Sequence, residues 1–144
     1  MRPSDDLERA AEAEPGVVPG GTGRVLIVDD EEPQVLAMSR LLGYLGYRAV
    51  GLSDPVEALR RFRLDTGAFD LVIIDKNMPN MSGTELAKEV LRIRPGMPVI
   101  MCTGYSETAD EERALAMGIR ALVLKPSSVK EMAALIRRVL RSET

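Results

Sequence analysis

Charged and hydroxyl side chains follow four short apolar segments of this chain. The segments VLIV, LVII, VIMC and ALVL lead directly into Asp29 with Asp30, Asp75, Thr103 and Lys125, respectively. Short apolar runs separated by helical patterns are typical of buried parallel strands. Because ligands of open α/β sheets bind outside the carboxyl ends of the strands, we expect three carboxylates, a hydroxyl and an ammonium group to converge there. Such a set can hold a divalent cation and a phosphoryl group, with one carboxylate as the nucleophile.

Strand and helix patterns alternate from Arg24 towards the end of the chain. The predicted strands cover about 24–29, 47–52, 69–75, 98–103 and 120–125. The predicted helices begin near Glu32, Asp54, Ser82, Ser106 and Ser128. This alternation predicts an α/β fold with a doubly wound, five-stranded parallel sheet. Right-handed crossovers favour the flavodoxin-like strand order 2-1-3-4-5.

Capping residues mark three of the predicted helix starts, and Ser106 is expected to cap the fourth helix. Asp54 is expected to be the N-cap of the second helix, with Pro55 at its first position. Glu57 should complete a capping box there, and Ser128 with Glu131 predicts another box at the last helix. Apolar residues of the last helix recur on one stripe, so this helix should pack on the sheet: Met132, Leu135, Ile136, Val139 and Leu140.

The composition excludes several classes of function. The chain has 144 residues, of which 45% are hydrophobic, and this suits one domain with its own core. Its net charge of −3 gives no attraction to nucleic acid or to an anionic membrane. The absence of histidine excludes a phosphohistidine, a histidine zinc site and a Ser-His-Asp triad within the chain. Any phosphoryl chemistry here must therefore use a carboxylate.

The beginning of the chain differs in composition from the rest. Residues 1–23 are rich in acidic residues, Pro and Gly, which predicts a flexible tail or linker. We assign 24–141 to one folded domain and 142–144 to a C-terminal tail. The sequence has no signal-peptide pattern and no apolar run near the ~20 residues of a membrane span. Its single cysteine, Cys102, cannot form an intrachain disulfide, so we expect a cytoplasmic protein that does not contact a membrane.

Three carboxylates crowded at one edge of a sheet repel one another unless a cation lies among them. Oxygen ligands without His or Cys favour a hard ion, with Mg²⁺ ahead of Mn²⁺ or Ca²⁺. Asp75 is the expected nucleophile because its strand is predicted at the centre of the sheet, and Lys125 and Thr103 can contact the phosphoryl oxygens. Taken singly, each residue has an ordinary structural explanation, such as a helix cap or a solvated lysine. Their joint placement at four strand ends favours a functional site.

The motifs VDDE, DKNMPNMSG, CTG and LKP occur in that order, and together they resemble the receiver domain of bacterial two-component response regulators over about residues 24–141. The resemblance implies that Asp75 is the phosphoacceptor and that Thr103 and Lys125 contact the phosphoryl group. It implies Mg²⁺ binding by Asp30, Asp75 and the backbone carbonyl of Asn77, with Asp29 acting through metal-bound water. Pro126 follows the lysine, and the loop after the acceptor contains Met78, Pro79 and Gly83.

The same resemblance implies the partners and the reaction. A receiver catalyses its own phosphorylation from a histidine kinase or a histidine phosphotransfer protein, and it does not itself bind nucleic acid. The segment from Arg94 to Glu107 is similar to receivers attached to hybrid sensor histidine kinases. Many receivers carry Tyr or Phe three residues before the lysine as a rotamer switch, whereas this chain carries Leu122. The resemblance therefore does not extend to an aromatic switch.

Two alternative functions, and the role of one apolar surface on the first helix, remain open at this point. A haloacid-dehalogenase-like phosphatase would need an Asp two residues after the nucleophile, where this chain has Asn77. A degenerate receiver that acts only as a scaffold is the other alternative. In the first helix, Val35 and Leu36 belong either to a wide buried stripe or to a docking patch for a helical histidine donor. The inward face of that helix is predicted to contain Ala37, Met38, Leu41, Leu42 and Leu45.

Overall fold

Five apolar segments form the parallel sheet that is expected from the sequence. The computed structural model describes residues 22–104, 108–125 and 128–141. Within this part of the chain the strands are β1 Arg24–Val28, β2 Arg48–Leu52, β3 Leu71–Asp75, β4 Val99–Thr103 and β5 Ala121–Leu124. All neighbouring strands are parallel and their order is β2-β1-β3-β4-β5. The predicted fold class and strand order are confirmed.

A helix follows each strand within the described part of the chain. The helices are α1 Glu32–Tyr44, α2 Pro55–Leu64, α3 Gly83–Ile93, α4 Thr108–Met117 and α5 Val129–Arg141. The cap predicted at Ser106, the residue Pro126 and most of the predicted tails lie outside the described residues. No helix that the structure describes is both long enough and apolar enough to cross a membrane.

Side-chain capping begins three of these helices, but not always in the predicted form. The Asp54 carboxylate accepts a hydrogen bond from the Val56 N–H at 2.9 Å, as expected of an N-cap. The capping box predicted at Glu57 is wrong, because this carboxylate instead accepts two hydrogen bonds from the Arg60 guanidinium, at 2.9 and 2.6 Å. A charged, bidentate partner one turn away outcompetes a backbone N–H.

The other two caps are built on serines. Ser82 and Glu85 make a complete capping box, with both reciprocal bonds at 3.1 Å. At the start of α5 the Ser128 hydroxyl accepts from the Glu131 N–H at 3.0 Å and donates to the Glu131 carboxylate at 2.9 Å. The predicted pairing of Ser128 with Glu131 is therefore present, with the hydroxyl as the donor to the carboxylate. Both caps fix where a helix leaves the carboxyl edge of the sheet.

The sheet carries a separate apolar core on each face. Along β1, Leu26 and Val28 pack with α2 and α3, while Val25 and Ile27 pack with α1 and α5. Successive residues of a strand point to opposite faces, so a strand covered on both sides is apolar throughout. Along β3, Ile73 lies on the face of α1 and α5, and the same alternation places the Asp75 side chain on that face.

Helix α1 lies unusually close to β2 because residue 51 has no side chain. A Cβ added at Gly51 would collide with Cγ1 of Val35 and would lie 2.8 Å from Oγ of Ser39. On the same helix Leu42 is buried and Ala37 is exposed. The prediction that Ala37 belongs to the inward face is therefore wrong. The other predicted inward residues are buried or partly buried: Met38, Leu41, Leu42 and Leu45.

We predict that Gly51→Ala destabilises the protein by about 1–3 kcal/mol, the usual cost of forcing an added methyl group into a packed contact. The free energy of unfolding from urea titration measures this. Gly43→Ala is the control, because an added Cβ there has no neighbour within 4 Å and Gly43 lies in α1, the helix that packs against Gly51. The control should be neutral or stabilising by up to ~1 kcal/mol. Equal stabilities of the two variants would contradict the proposed close packing at Gly51.

Candidate functional site

The register of the sheet brings the predicted site residues to one edge. Val28 is paired with Ile74, so Asp29 and Asp75 end neighbouring strands side by side. Asp75 is paired with Cys102 in β4, and Thr103 is paired with Leu124, the residue before Lys125. Four chain segments that are far apart in sequence therefore end at the same edge of the sheet.

Lys125 bridges two of the carboxylates. Its Nζ donates to Oδ1 of Asp75 at 2.9 Å and to Oδ2 of Asp29 at 3.2 Å. Both aspartates are 7% exposed, whereas about a third of the lysine side chain is exposed, at 34%. The backbone N–H of Lys125 donates to the carbonyl oxygen of Thr103 at 2.7 Å, which fixes the lysine at the end of β4. The ammonium is thus held between two carboxylates that are almost closed to solvent.

The third carboxylate completes an acidic cluster of Asp29, Asp30 and Asp75. One oxygen of each residue lies within 4.8 Å of the others. Three negative charges against the single ammonium of Lys125 leave two negative charges uncompensated when all four groups are ionised. All of these ligand atoms are oxygen, which a hard divalent cation such as Mg²⁺ prefers. The donor set and its charge therefore fit the expected metal.

The pKa values of Asp75 and Lys125 reflect this crowding. Burial raises the pKa of Asp75, and the charges of Asp29 and Asp30 raise it further, although the hydrogen bond from Lys125 acts in the opposite direction. Burial alone would lower the pKa of Lys125, but its hydrogen bonds to Asp75 and Asp29 outweigh that effect and raise it. The lysine consequently stays charged at neutral pH, but its one positive charge does not balance the three carboxylates of the cluster.

Asp29 also has a structural role at the start of α1. Its Oδ1 accepts a hydrogen bond from the Glu31 N–H at 3.0 Å, and its other oxygen accepts from Lys125. The N-cap of α1 is Glu31, which makes no side-chain capping bond, so the Asp29 bond closes the turn before the helix and does not cap it. Asp30 is the most solvent-accessible of the three carboxylates, so it is the easiest one for an ion to reach.

Backbone hydrogen bonds hold the loop between β3 and α3 against the end of the sheet. The N–H of Lys76 donates to the Cys102 carbonyl at 2.8 Å, and the Lys76 carbonyl accepts from the Gly83 N–H at 2.9 Å. A Cβ at Gly83 would collide with the carbonyl oxygen of Asp75, so only glycine permits this approach. Asn80 has a φ of 69°, the left-handed turn conformation. Asn77 lies in this loop with its side chain exposed.

Two further site features follow from the placement of β4. Thr103 is fully buried at the end of the strand, next to the lysine backbone rather than at the exposed rim. Cys102 lies beside Asp75 in the register, and burial raises the pKa of its thiol to about 12. A cavity of about 340 Å³ between α1 and α5 lies beside Asp29, Asp75 and Lys125.

One charged contact near Asp75 was not anticipated from the sequence. Nζ of Lys76 lies 3.7 Å from Oδ2 of Asp110, in the first turn of α4. Both side chains are about a quarter exposed, at 26%. No local pattern links these two positions, because they meet only when α4 folds back over the sheet.

The sequence and the fold both match one family. The family described as "Response regulator receiver domain" matches residues 25–137. The sensory transduction protein RegX3 of Mycobacterium tuberculosis is 40% identical over 117 residues, which are 81% of this chain and 50% of that protein. The probable transcriptional regulator ycf27 of Guillardia theta is 39% identical over 118 residues, which are 82% of this chain and 45% of that protein.

Solved receiver structures have the same architecture. A response regulator receiver domain protein from Clostridium thermocellum superposes with a TM-score of 0.79 at 28% identity, covering 83% of this chain and 95% of that one. A CheY-like receiver domain protein from Methanospirillum hungatei gives a TM-score of 0.77 at 29% identity, covering 85% and 97% of the two chains. The chain spans about half the length of the curated relatives named above. From its sequence match and its fold, the chain belongs to the response regulator receiver domain family.

Proposed function

We propose that this chain is a phosphoacceptor switch of a two-component phosphorelay. A phosphohistidine on a histidine kinase or a histidine phosphotransfer protein donates its phosphoryl group to Asp75. The observation that carries the proposal is the position of Asp75, which is hydrogen-bonded to Lys125 and adjoins two more carboxylates at the centre of the sheet edge. The resulting change of charge alters how the domain contacts its partners.

In the proposed reaction, a carboxylate oxygen of Asp75 forms a bond to phosphorus while the phosphorus–nitrogen bond of the donor breaks. The imidazole leaves with the electron pair of that bond. The Lys125 ammonium, already at Asp75, can move onto an equatorial phosphoryl oxygen as charge accumulates there. We assign the Thr103 hydroxyl to a second such oxygen, which requires a movement of this buried residue.

The acidic cluster would hold Mg²⁺ in this proposal. The ligands would be Asp30, Asp75 and the backbone carbonyl of Asn77, with Asp29 contributing through a water molecule. When bound, the ion supplies the positive charge that the cluster lacks and neutralises the phosphoryl oxygens. The raised pKa of Asp75 in the absence of metal is consistent with such a deficit of positive charge.

The rival enzymatic function has less support. A dehalogenase-like phosphatase needs a second acidic group two residues after the nucleophile, and this chain has the neutral, exposed Asn77 there. A scaffold without phosphorylation would not require Lys125 to contact both Asp29 and Asp75. Three features remain predictions from the sequence: the attachment to a hybrid sensor kinase, the domain boundaries at 24 and 141, and the cytoplasmic location.

The two residues considered for donor docking, Val35 and Leu36, differ in their exposure. Leu36 is 51% exposed on α1, one turn beyond the acidic cluster, but Val35 is partly buried against Gly51. Both lie beside a groove of about 350 Å³ between α1 and β2, whose rim also includes Glu32 and Ser53. We therefore propose Leu36 as the principal apolar contact for the donor helix, with Val35 supporting it from the core side.

We predict that Asp75→Asn abolishes phosphorylation by acetyl phosphate with Mg²⁺, because the amide cannot serve as the nucleophile. Intact-mass spectrometry should show one added phosphoryl group on the wild type and none on the variant. Asp70→Asn is the matched control, because Asp70 lies just before the same strand and pairs with Arg24 at the opposite edge. The control should be labelled like the wild type. Labelling of the Asp75 variant at the wild-type level would refute the assignment.

We predict that Mg²⁺ at a hundredfold excess over its dissociation constant stabilises the wild type by about 2.7 kcal/mol. Asp30→Asn should remove most of this effect. In the absence of metal it should also raise the free energy of unfolding by about 1 kcal/mol, the Coulomb energy of two unit charges ~4 Å apart in water. Urea titrations with and without Mg²⁺ measure both. A metal-free variant less stable than the wild type would mean that the Asp30 carboxylate has a structural role instead.

We predict that Leu36→Ser slows phosphoryl transfer from the cognate histidine protein roughly tenfold or more, because loss of an apolar anchor costs about 1–3 kcal/mol at an interface. Labelling by acetyl phosphate, which needs no protein docking, should be unchanged. Leu64→Ser is the control, since Leu64 is 73% exposed at the end of α2. Equal slowing by both variants, or loss of labelling from both donors, would exclude a specific docking role for Leu36.

A further inference from the structure

The cavity between α1 and α5 lies in the core on the face of the sheet that receives no phenylalanine. Both phenylalanines of the chain, Phe62 and Phe69, belong to the core on the face of α2 and α3. On the face of α1 and α5, the paired residues Cys102 of β4 and Val123 of β5 contribute smaller side chains near the carboxyl edge. A space of about 340 Å³ is left between the sheet and the two helices.

The walls of this cavity are largely apolar. Ile27 and Ile73 of the sheet are each 3% exposed, and Met132 of α5 is 4% exposed. Met38 and Leu41 of α1 also line the cavity and are partly buried. Such walls offer water few hydrogen-bond partners, whereas an apolar ligand gains dispersion contacts with them. The lining therefore favours an apolar ring system as the occupant.

The volume of the cavity suits a small aromatic molecule. A dry apolar cavity of about 150 Å³ is enough to bind one benzene molecule, and ligand pockets in proteins begin at about 300 Å³. A cavity of about 340 Å³ therefore has room for two fused rings that carry a short chain. Gln34 of α1 with Ser128 and Val129 of α5 line the cavity and are exposed, so it reaches the surface between the first turns of these helices.

The end of the cavity at the carboxyl edge of the sheet is negatively charged. It is lined by the carboxylates of Asp29 and Asp75 and by the ammonium of Lys125, which together leave one negative charge uncompensated. Asp30 adds another carboxylate within 4.8 Å. The two helix N-termini bring partial positive charge, but each first turn also carries a glutamate. A ligand that enters here is therefore favoured if it is a cation.

The Asp75 carboxylate has room for a further hydrogen-bond donor. Among the described residues, Lys125 is the side chain that bonds to it, and Lys125 donates to Oδ1 only. The other oxygen, Oδ2, can accept a bond from a ligand. Because Asp75 is 7% exposed, such a charge-assisted bond would be well shielded from water.

We propose that this cavity binds a small aromatic amine, with its rings between α1 and α5 and its ammonium against Asp75 and Asp29. Binding goes beyond the proposed function, because it requires no phosphorylation. It also has a consequence for the same site, and that consequence rests on the proposed function. A bound ammonium occupies the nucleophile, so the amine opposes phosphorylation of Asp75.

The indole fluorescence of tryptamine tests binding to the full chain without metal. The chain contains no tryptophan, so all indole emission comes from the probe. The emission should shift to shorter wavelength and its anisotropy should rise as the ring leaves water for the apolar cavity. Indole-3-propionate, which carries a carboxylate in place of the amine, should bind roughly tenfold more weakly or less. Unchanged emission at millimolar tryptamine, or equal binding of the two compounds, would overturn the proposal.

Two neighbouring residues of β5 offer a matched pair of variants. Val123 lines the cavity, whereas Leu122 packs against the core on the opposite face. Val123→Phe should fill the cavity and weaken tryptamine binding roughly tenfold or more, and Leu122→Phe should leave it unchanged. Asp75→Asn should weaken binding by a similar factor, because it removes a charged acceptor, with Asp70→Asn as its control. Equal effects within either pair would place the probe elsewhere in the protein and overturn the site.

Methyl resonances of the wild type locate the ring without any substitution, should Val123→Phe fail to fold. Ring-current shifts from tryptamine should appear at the methyl groups of Ile27 and Ile73, which line the cavity. The methyl groups of Val72 and Ile74, on the opposite face of the sheet, should not shift. Shifts confined to the second pair would exclude this cavity as the site.

Labelling of Asp75 by phosphoramidate with Mg²⁺ tests the consequence for the proposed function. This donor carries no acetyl group to transfer to the probe amine. Tryptamine should slow the labelling in proportion to the occupied fraction, measured by fluorescence in the same buffer. Unchanged labelling at saturating tryptamine would overturn the inhibition. Absence of labelling even without tryptamine would overturn the proposed function and the inhibition with it, while the fluorescence and the methyl shifts still decide the binding site.

Discussion

Mutual repulsion among three carboxylates is the constraint on which the rest of this structure depends. Asp29, Asp30 and Asp75 have oxygens within 4.8 Å of one another, and Lys125 offsets one of the three charges. Groups in this arrangement would separate if they were free to do so. They stay together because they end strands whose side chains are closed to solvent on both faces, such as Val28 and Ile74 at 0% exposure. The apolar core thus supplies the free energy that keeps an unfavourable cluster assembled and ready to bind a cation.

Rigid and loosely held parts are distributed unevenly around this cluster. A Cβ at Gly83 would collide with the carbonyl oxygen of Asp75, and a Cβ at Gly51 would collide with the Val35 side chain of α1. By contrast, α4 buries one small side chain among those described and lies above a cavity. The packing is therefore tight at these two glycines and looser beneath α4.

The sequence was sufficient where the signal was local or periodic. Apolar runs ending in Asp75 and Lys125 predicted the strands, their order and the convergence of the side chains, because parallel strands place all their carboxyl ends at one edge. Asp54 was identified as an N-cap because a capping bond is local and spans only two residues. The Glu57 box failed because Arg60, one turn ahead, is a stronger partner than a backbone N–H.

Other features depend on contacts between distant segments and had no local signal. Ala37 was placed on the wrong face of α1, and that helix packs Val35 and Ser39 against Gly51 in the next strand. The Lys76–Asp110 pair was missed because either residue alone resembles an ordinary surface charge. Thr103 was expected with the other site residues at the ends of the strands, and the structure buries it completely there.

The single thiol of the chain provides an internal reporter of this region. Cys102 is 4% exposed, lies beside Asp75 in the sheet, and has a pKa of about 12. Burial therefore keeps the thiol both protonated and inaccessible in the closed fold. Alkylation by a thiol reagent must proceed largely through molecules in which β4 has opened. The rate of that modification measures local opening beside Asp75, with no engineered probe in the protein.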